Sequence, residues 1–162
     1  MNLSRRGFIA VTGSAMLALA GCSQTQQSEA DKQNSEEQTS PAVDYLNSEE
    51  VSGFLSESEN IETISQACQN KDVDTCSERG QALIDACDAL TGMDEVPGEV
   101  ADIHSELTQA AEEFRNAAVS YMTAVYVDDD AKFENAVSTA SEHLSAGSDH
   151  LVSASEMISE LS

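Results

Sequence analysis

The 162-residue chain has no tryptophan, only four phenylalanines and three tyrosines, two prolines, eight glycines, and seven lysines and arginines against 30 acidic residues. Each scarcity excludes something. A formal net charge of −23 argues against nucleic acid, since polyphosphate is held by surplus Lys and Arg. The same sign disfavours electrostatic docking on anionic lipid. Too few aromatic rings are present for a carbohydrate- or base-stacking surface. Four cysteines occur without a paired CxxC or a CxxCH, which removes covalent c-type haem and a cysteine-based metal cluster. No Gly-rich phosphate loop, GxSxG elbow or HExxH is found, so nothing points to an enzyme and no catalytic residue is assigned. No ExxH pair occurs either, the mark of a di-iron carboxylate bundle, and neither a metal nor another cofactor is expected.

What is present begins at the N-terminus. Arg5 and Arg6 precede an apolar stretch from Phe8 to Ala20, which is too short to read as a membrane span. Ser4-Arg5-Arg6-Gly7-Phe8-Ile9 resembles the twin-arginine export motif, with Ala10 standing where that family often has Lys. Leu19-Ala20-Gly21-Cys22 resembles a lipobox, in which small residues admit a lipoprotein peptidase and the Cys thiol receives diacylglycerol. The resemblance implies a signal peptide over residues 1–21 and lipid attachment at Cys22. Two acyl chains on one residue suffice for stable anchoring. The expected location is the extracytoplasmic face of the cell membrane.

Residues 22–43 form a tether built of Ser, Gln, Glu, Asn and Thr, ending near Pro41. Such a composition buries too little apolar surface to offset backbone ordering, so a disordered coil is expected. As a flexible chain of about twenty residues it reaches roughly 25 Å.

Residues 44–162 carry apolar side chains at alternating three- and four-residue steps. The last stripe runs Phe133, Val137, Ala140, Leu144, Gly147, Leu151, Ala154, Ile158 and Leu161. The one before it runs Val100, Ile103, Leu107, Ala110, Phe114, Ala117, Tyr121 and Ala124. A second helix carries Val73, Cys76, Gly80, Leu83, Cys87 and Leu90, and a weaker first helix Val51, Phe54, Ile61, Ile64 and Cys68. Asn47 with Glu50 suits a capping box starting the first helix near Ser48. Breaks follow at Asn70–Asp72, Gly92 and Asp128–Asp130, and Pro97 suits the first turn of the third helix. Asp129 and Asp130 read as cap and dipole partners of the fourth helix, since Asp-Asp-Asp-Ala-Lys lacks the ligand spacing and Gly of a calcium loop. The fold class is all-α. Short links predict an up-down-up-down four-helix bundle of two antiparallel hairpins, the alternative being a long hairpin packed in a dimer.

Two constellations stand out in the body. Cys68 and Cys76 lie symmetrically about the Asn70–Asp72 turn, each on an apolar stripe, and are expected to form a disulfide. Cys87, eleven residues beyond Cys76 and about 16 Å along the same helix, is out of reach and reads as a buried thiol. His143 and His150, seven residues apart, share one edge of the fourth helix. Counting outward from the turn near Asp129 sets His143 beside about Glu113 or Arg115 and His150 beside about Glu106 or Leu107, which suggests two cross-helix His–Glu contacts. The bland reading of these pairs is interhelical hydrogen bonding. The sharper ones are a pH response and a divalent site using His150, Glu106 and a further carboxylate.

The body, with a Cys-containing hairpin, a Val-Pro before the third helix and two long Ala-rich helices, resembles small, uncharacterised helical lipoproteins. That resemblance implies fold and anchoring only. The expected function is a membrane-anchored interaction or accessory module held by diacylglycerol on Cys22 and acting on a protein partner, with no nucleic acid involved. The alternative is a metal- or small-ligand-binding protein that feeds a membrane transporter. The acidity belongs to the body, where residues 44–162 hold 26 acids and four bases, a net −22. Glu142, Asp149 and Glu156 recur every seven residues opposite the apolar stripe, so this charge forms a solvated outer face.

Overall fold

The structure, a computed structural model, describes residues 40–161. The expected signal peptide, Cys22 and nearly all of the tether lie outside them. Among the described residues all regular structure is helical. The elements are α1 (Pro41–Leu46), α2 (Glu49–Ser58), α3 (Ile61–Gln69), α4 (Val73–Thr91), a 3-10 turn (Gly98–Val100), α5 (Ala101–Ala124) and α6 (Asp130–Glu160).

The expected first helix is three helices, and it begins earlier than Ser48. Ser40 accepts a hydrogen bond from the Val43 amide and Pro41 occupies the first helical position, so residues 41–43 are helical and not part of the tether. Burial of Ala42 and Tyr45 holds this short helix down, and the folded body therefore starts at Pro41, ahead of residue 44. Asn47 closes α1, its side-chain amide donating to the Val43 carbonyl. The cap of α2 is Ser48, whose hydroxyl accepts from the Val51 amide, so Asn47 is not the capping residue. A further break at Glu59 and Asn60 separates α2 from α3.

The α3–α4 turn is a Schellman closure. The Asp72 amide bonds the Ala67 carbonyl at 2.9 Å and the Lys71 amide bonds the Cys68 carbonyl at 3.1 Å. Lys71 takes the left-handed position (φ 58°) that normally selects glycine. Its side chain gives a reason. The Nζ donates to the Val127 carbonyl at 2.6 Å and the Ala124 carbonyl at 3.4 Å, and stands 4.0 Å from the Phe133 ring centre. One cation thus caps the C-terminus of α5, a position where positive charge opposes the helix dipole, and ties the two interhelical turns together.

Asp72 caps α4 by accepting from the Thr75 amide, and the Thr75 hydroxyl, with that amide second, holds its carboxyl below the ordinary range. Gly92 ends α4, Pro97 precedes the 3-10 turn, and Asp129 caps α6 by accepting from the Lys132 amide at 2.9 Å. Gly92 and Asp129 punctuate where the sequence placed them, whereas Pro97 precedes a separate 3-10 turn and is not in the first turn of α5, which begins at Ala101.

α5 is the central rod. α2 and α3 pack on α4, α4 and α3 pack on α5, and α1 rests on α2 and the 3-10 turn. α6 runs along α5 and shares only marginal backbone contact with any other element. Packed on more than one side, α5 buries Leu107, Phe114 and Tyr121 together with Ala110, Ala111, Ala117, Ala118 and Ala124. On α6 only Ala140, Gly147 and Ala154 are buried, while Leu144, Leu151 and Ile158 beside them are half-buried against the core. Small residues seven apart let the two axes approach closely. Glu142, Asp149 and Glu156 are exposed, on the side turned away from that seam.

Candidate functional site

The closely packed α5–α6 seam fixes the two histidine pairs. His143 and His150 follow Ala140 and Gly147 by three residues and so share one edge of α6, while Glu106 and Glu113 share the matching edge of α5. His143 Nδ1 lies 2.6 Å from Glu113 Oε2, and His150 Nδ1 lies 2.8 Å from Glu106 Oε2. An imidazole N–H donating to a carboxylate spans both gaps. The pairings are those expected from the sequence. All four side chains are between one-fifth and one-third exposed, so solvent screens the pairs and their contribution is modest. Each pair offers two donors to an ion. Among the described residues no cluster of three His, Cys, Asp or Glu is placed to hold one.

The third histidine has a different role, which the sequence did not signal. His104 on α5 meets the Tyr45 hydroxyl through Nδ1 at 2.9 Å, and its Nε2 lies 3.4 Å from the Thr108 hydroxyl. The Tyr45 and His104 rings pack edge to face at 5.8 Å. Nearby, Glu99 accepts from the Ala42 amide at 2.9 Å, satisfying one of the unpaired donors in the first turn of α1. Two contacts spanning almost sixty residues therefore latch α1 to the start of α5. A helix of six residues shows no periodicity, and contacts this distant in sequence leave no spacing to read.

Burial pushes the Tyr45 hydroxyl up to about 12 and pulls His104 below its usual range. Both shifts favour the neutral forms, in which Tyr45 donates to His104. A histidine whose folded pKa is lowered contributes stability above its unfolded value near 6.5, and that contribution is lost as the pH falls below it. His104→Gln is accordingly expected to cost about 1 kcal/mol at pH 7.5, the worth of one hydrogen bond. The gap to the parent protein should narrow towards pH 5.5 in thermal melts, with His143 and His150 present in both proteins and cancelling. A gap that widens in acid would refute the neutral latch.

All three cysteines of the body are free, buried thiols. The expected Cys68–Cys76 bond is therefore not formed here, although the two residues flank the turn between the packed helices α3 and α4. Geometry supplies the neighbours, and bond formation additionally needs an oxidant. Burial pushes Cys68 up to about 11, the adjacent Cys76 adding to the effect. Cys76 is raised by burial and then by Asp72. Cys87 is pushed up to about 12 by burial, with Asp88 adding and Arg115 opposing, and sits apart from the other two as a small apolar filler. Arg115 itself bonds Asp88 at 3.0 Å across α4 and α5, an exposed pair of little energetic weight.

A shallow open depression between α2 and the end of α4 is lined by Glu50, Ala89, Gly92, Met93, Asp94 and Glu95, and contains no nucleophile paired with a base. Among the described residues no helix is long and apolar enough to cross a membrane. Comparison with protein-family models, curated proteins and solved structures gives no match to this chain.

Proposed function

We propose that the chain is an exported, lipid-anchored acidic protein that works as an interaction or accessory module at the extracytoplasmic face of the cell membrane. The observation that carries this reading is Leu19-Ala20-Gly21-Cys22 at the end of the apolar run that follows Arg5 and Arg6. Diacylglycerol on Cys22 supplies the anchor and the polar segment behind it the spacer. A body of net −22 is repelled from anionic headgroups and stands off the surface. In this reading the helices form an up-down-up-down four-helix bundle, α1 to α3 together serving as its first rod. Its outer faces are open to a protein partner.

Membrane-extracted protein is expected to lack residues 1–21 and to begin at a Cys22 that carries diacylglycerol, as read from the mass of its N-terminal peptide. A chain retaining residues 1–21, or one with an unmodified Cys22 thiol, overturns the anchoring. A second reading, a metal- or small-ligand-binding protein that feeds a transporter, draws on the two His–Glu pairs. Stoichiometric metal in the untagged protein favours it. A metal-free protein that crosslinks to one defined neighbour favours the first.

A further inference from the structure

We propose that Cys68 and Cys76 are a disulfide-forming pair that locks the α3–α4 turn in the exported protein, with Cys87 remaining a thiol. The proposal rests on the export reading for its oxidising compartment and on the fold for its selectivity. Cys68 is the next-to-last residue of α3 and Cys76 lies in the first turn of α4. The Schellman closure at Asn70–Asp72 ends α3 between them, and α3 packs on α4. Both are fully buried, near the adjoining ends of the packed helices α3 and α4, and each alters the other's ionisation. Cys87 is eleven residues further along α4, about 16 Å by helical rise, whereas bridged Cα atoms lie roughly 4.4–6.8 Å apart. No other cysteine falls among the described residues.

The oxidant is a disulfide of the thiol–disulfide exchange class, such as oxidised glutathione or an envelope dithiol oxidase. One protein thiolate attacks a sulfur of that disulfide, breaking its S–S bond and releasing one thiolate. The second protein thiolate then displaces the mixed disulfide, forming the Cys68–Cys76 bond and releasing the other. Two electrons pass to the oxidant, and the two protein thiol protons end on its reduced sulfurs. Burial of both sulfurs, which keeps their thiolates scarce, makes this reaction slow in the closed fold. It proceeds during folding or through opening of the short α3–α4 hairpin.

The test uses the full chain, folded with reductant and then incubated in a mixture of oxidised and reduced glutathione. After denaturation and alkylation, trypsin cuts behind Arg6, Lys32, Lys71, Arg79 and Arg115. Each cysteine then falls in its own peptide: Cys22 in residues 7–32, Cys68 in 33–71, Cys76 in 72–79 and Cys87 in 80–115. The expected product is 33–71 joined to 72–79, separated by dithiothreitol, with 80–115 alkylated. Singly alkylated 33–71 and 72–79, or a link to 80–115, overturns the pairing. Closing a loop of this size should raise the melting midpoint by roughly 10 °C over the reduced protein. Cys87→Ala should keep that rise and Cys76→Ser should lose it. The state of Cys22 is read independently. A bridged chain whose Cys22, in membrane-extracted protein, carries no lipid retires the anchor and leaves the thiol pair standing, whereas a lipidated chain whose Cys68 and Cys76 stay free in glutathione does the reverse.

Discussion

Replacing Phe54 by alanine is expected to lower the stability of the folded body by about 4 kcal/mol, the ordinary cost of emptying a buried phenylalanine site. Phe54 is fully buried, and its ring meets Phe114 edge to face, with centroids 5.9 Å apart and planes at 78°. That contact joins α2 to the central rod. A ten-residue helix cannot sustain itself in water, so α2 is held by what it buries, namely Val51, Phe54 and Ser58. Removing the largest of these leaves a cavity against Phe114, and a closely packed interior collapses only partly to fill it. Domains of this size are stable by roughly 5–15 kcal/mol, so the loss is a large fraction of the total. Urea unfolding followed by circular dichroism should show a lower midpoint with an unchanged slope. Phe54→Leu, which retains most of the volume, should cost well under half as much. A loss below about 1 kcal/mol for the alanine variant would mean that α2 does not dock through this ring.

The same region shows where sequence reasoning reaches and where it stops. Phe54 and Ile61 are seven residues apart, so the apolar period passes straight through the break at Glu59 and Asn60 and gives no sign of it. Pro41 reads equally well as the end of a tether or as the first residue of a helix. Only burial of Ala42 and Tyr45, with the contacts to Glu99 and His104, decides for the helix. The His143–Glu113 and His150–Glu106 pairs were legible because a short turn at Asp128–Asp130 fixes the register of two long helices whose stripes are both continuous. Local punctuation was legible for a similar reason: the caps at Asp72, Gly92 and Asp129 are decided within four residues. The role of Lys71 was not. Its left-handed backbone answers to carbonyls more than fifty residues away, and nothing near it in sequence announces them.

The α6 stripe was legible as a stripe but not in its depth. Phe133, Leu144, Leu151 and Ile158 are its largest members, yet Ala140, Gly147 and Ala154 are the ones that disappear from solvent. Close approach of two axes inverts the usual ranking of size and burial. Gly147 carries that approach. A Cβ built there stands 2.9 Å and 3.0 Å from two carbons of the Phe114 ring and 3.3 Å from the Ala110 carbonyl oxygen. The carbonyl is backbone and the ring is braced by Phe54, so neither gives way cheaply. Gly147→Leu is therefore expected to force α6 off α5, at roughly 3 kcal/mol or more. The His143–Glu113 and His150–Glu106 bonds should be lost with it. Gly80 is the contrasting case. Its Cβ would stand 2.5 Å and 2.6 Å from Met122 Sδ and Cγ, so that half-buried side chain must change rotamer, and Gly80→Ala should cost about 1 kcal/mol, well below Gly147→Leu, without moving α6. Because α6 leans on α5 and hardly on anything else, the damage should stay local. Amide hydrogen exchange should show α6 losing protection in Gly147→Leu while α2, α3 and α4 keep theirs. Uniform loss across all helices would instead show that α6 completes one cooperative core. Unchanged exchange would show that the small-residue seam does not seat α6 at all.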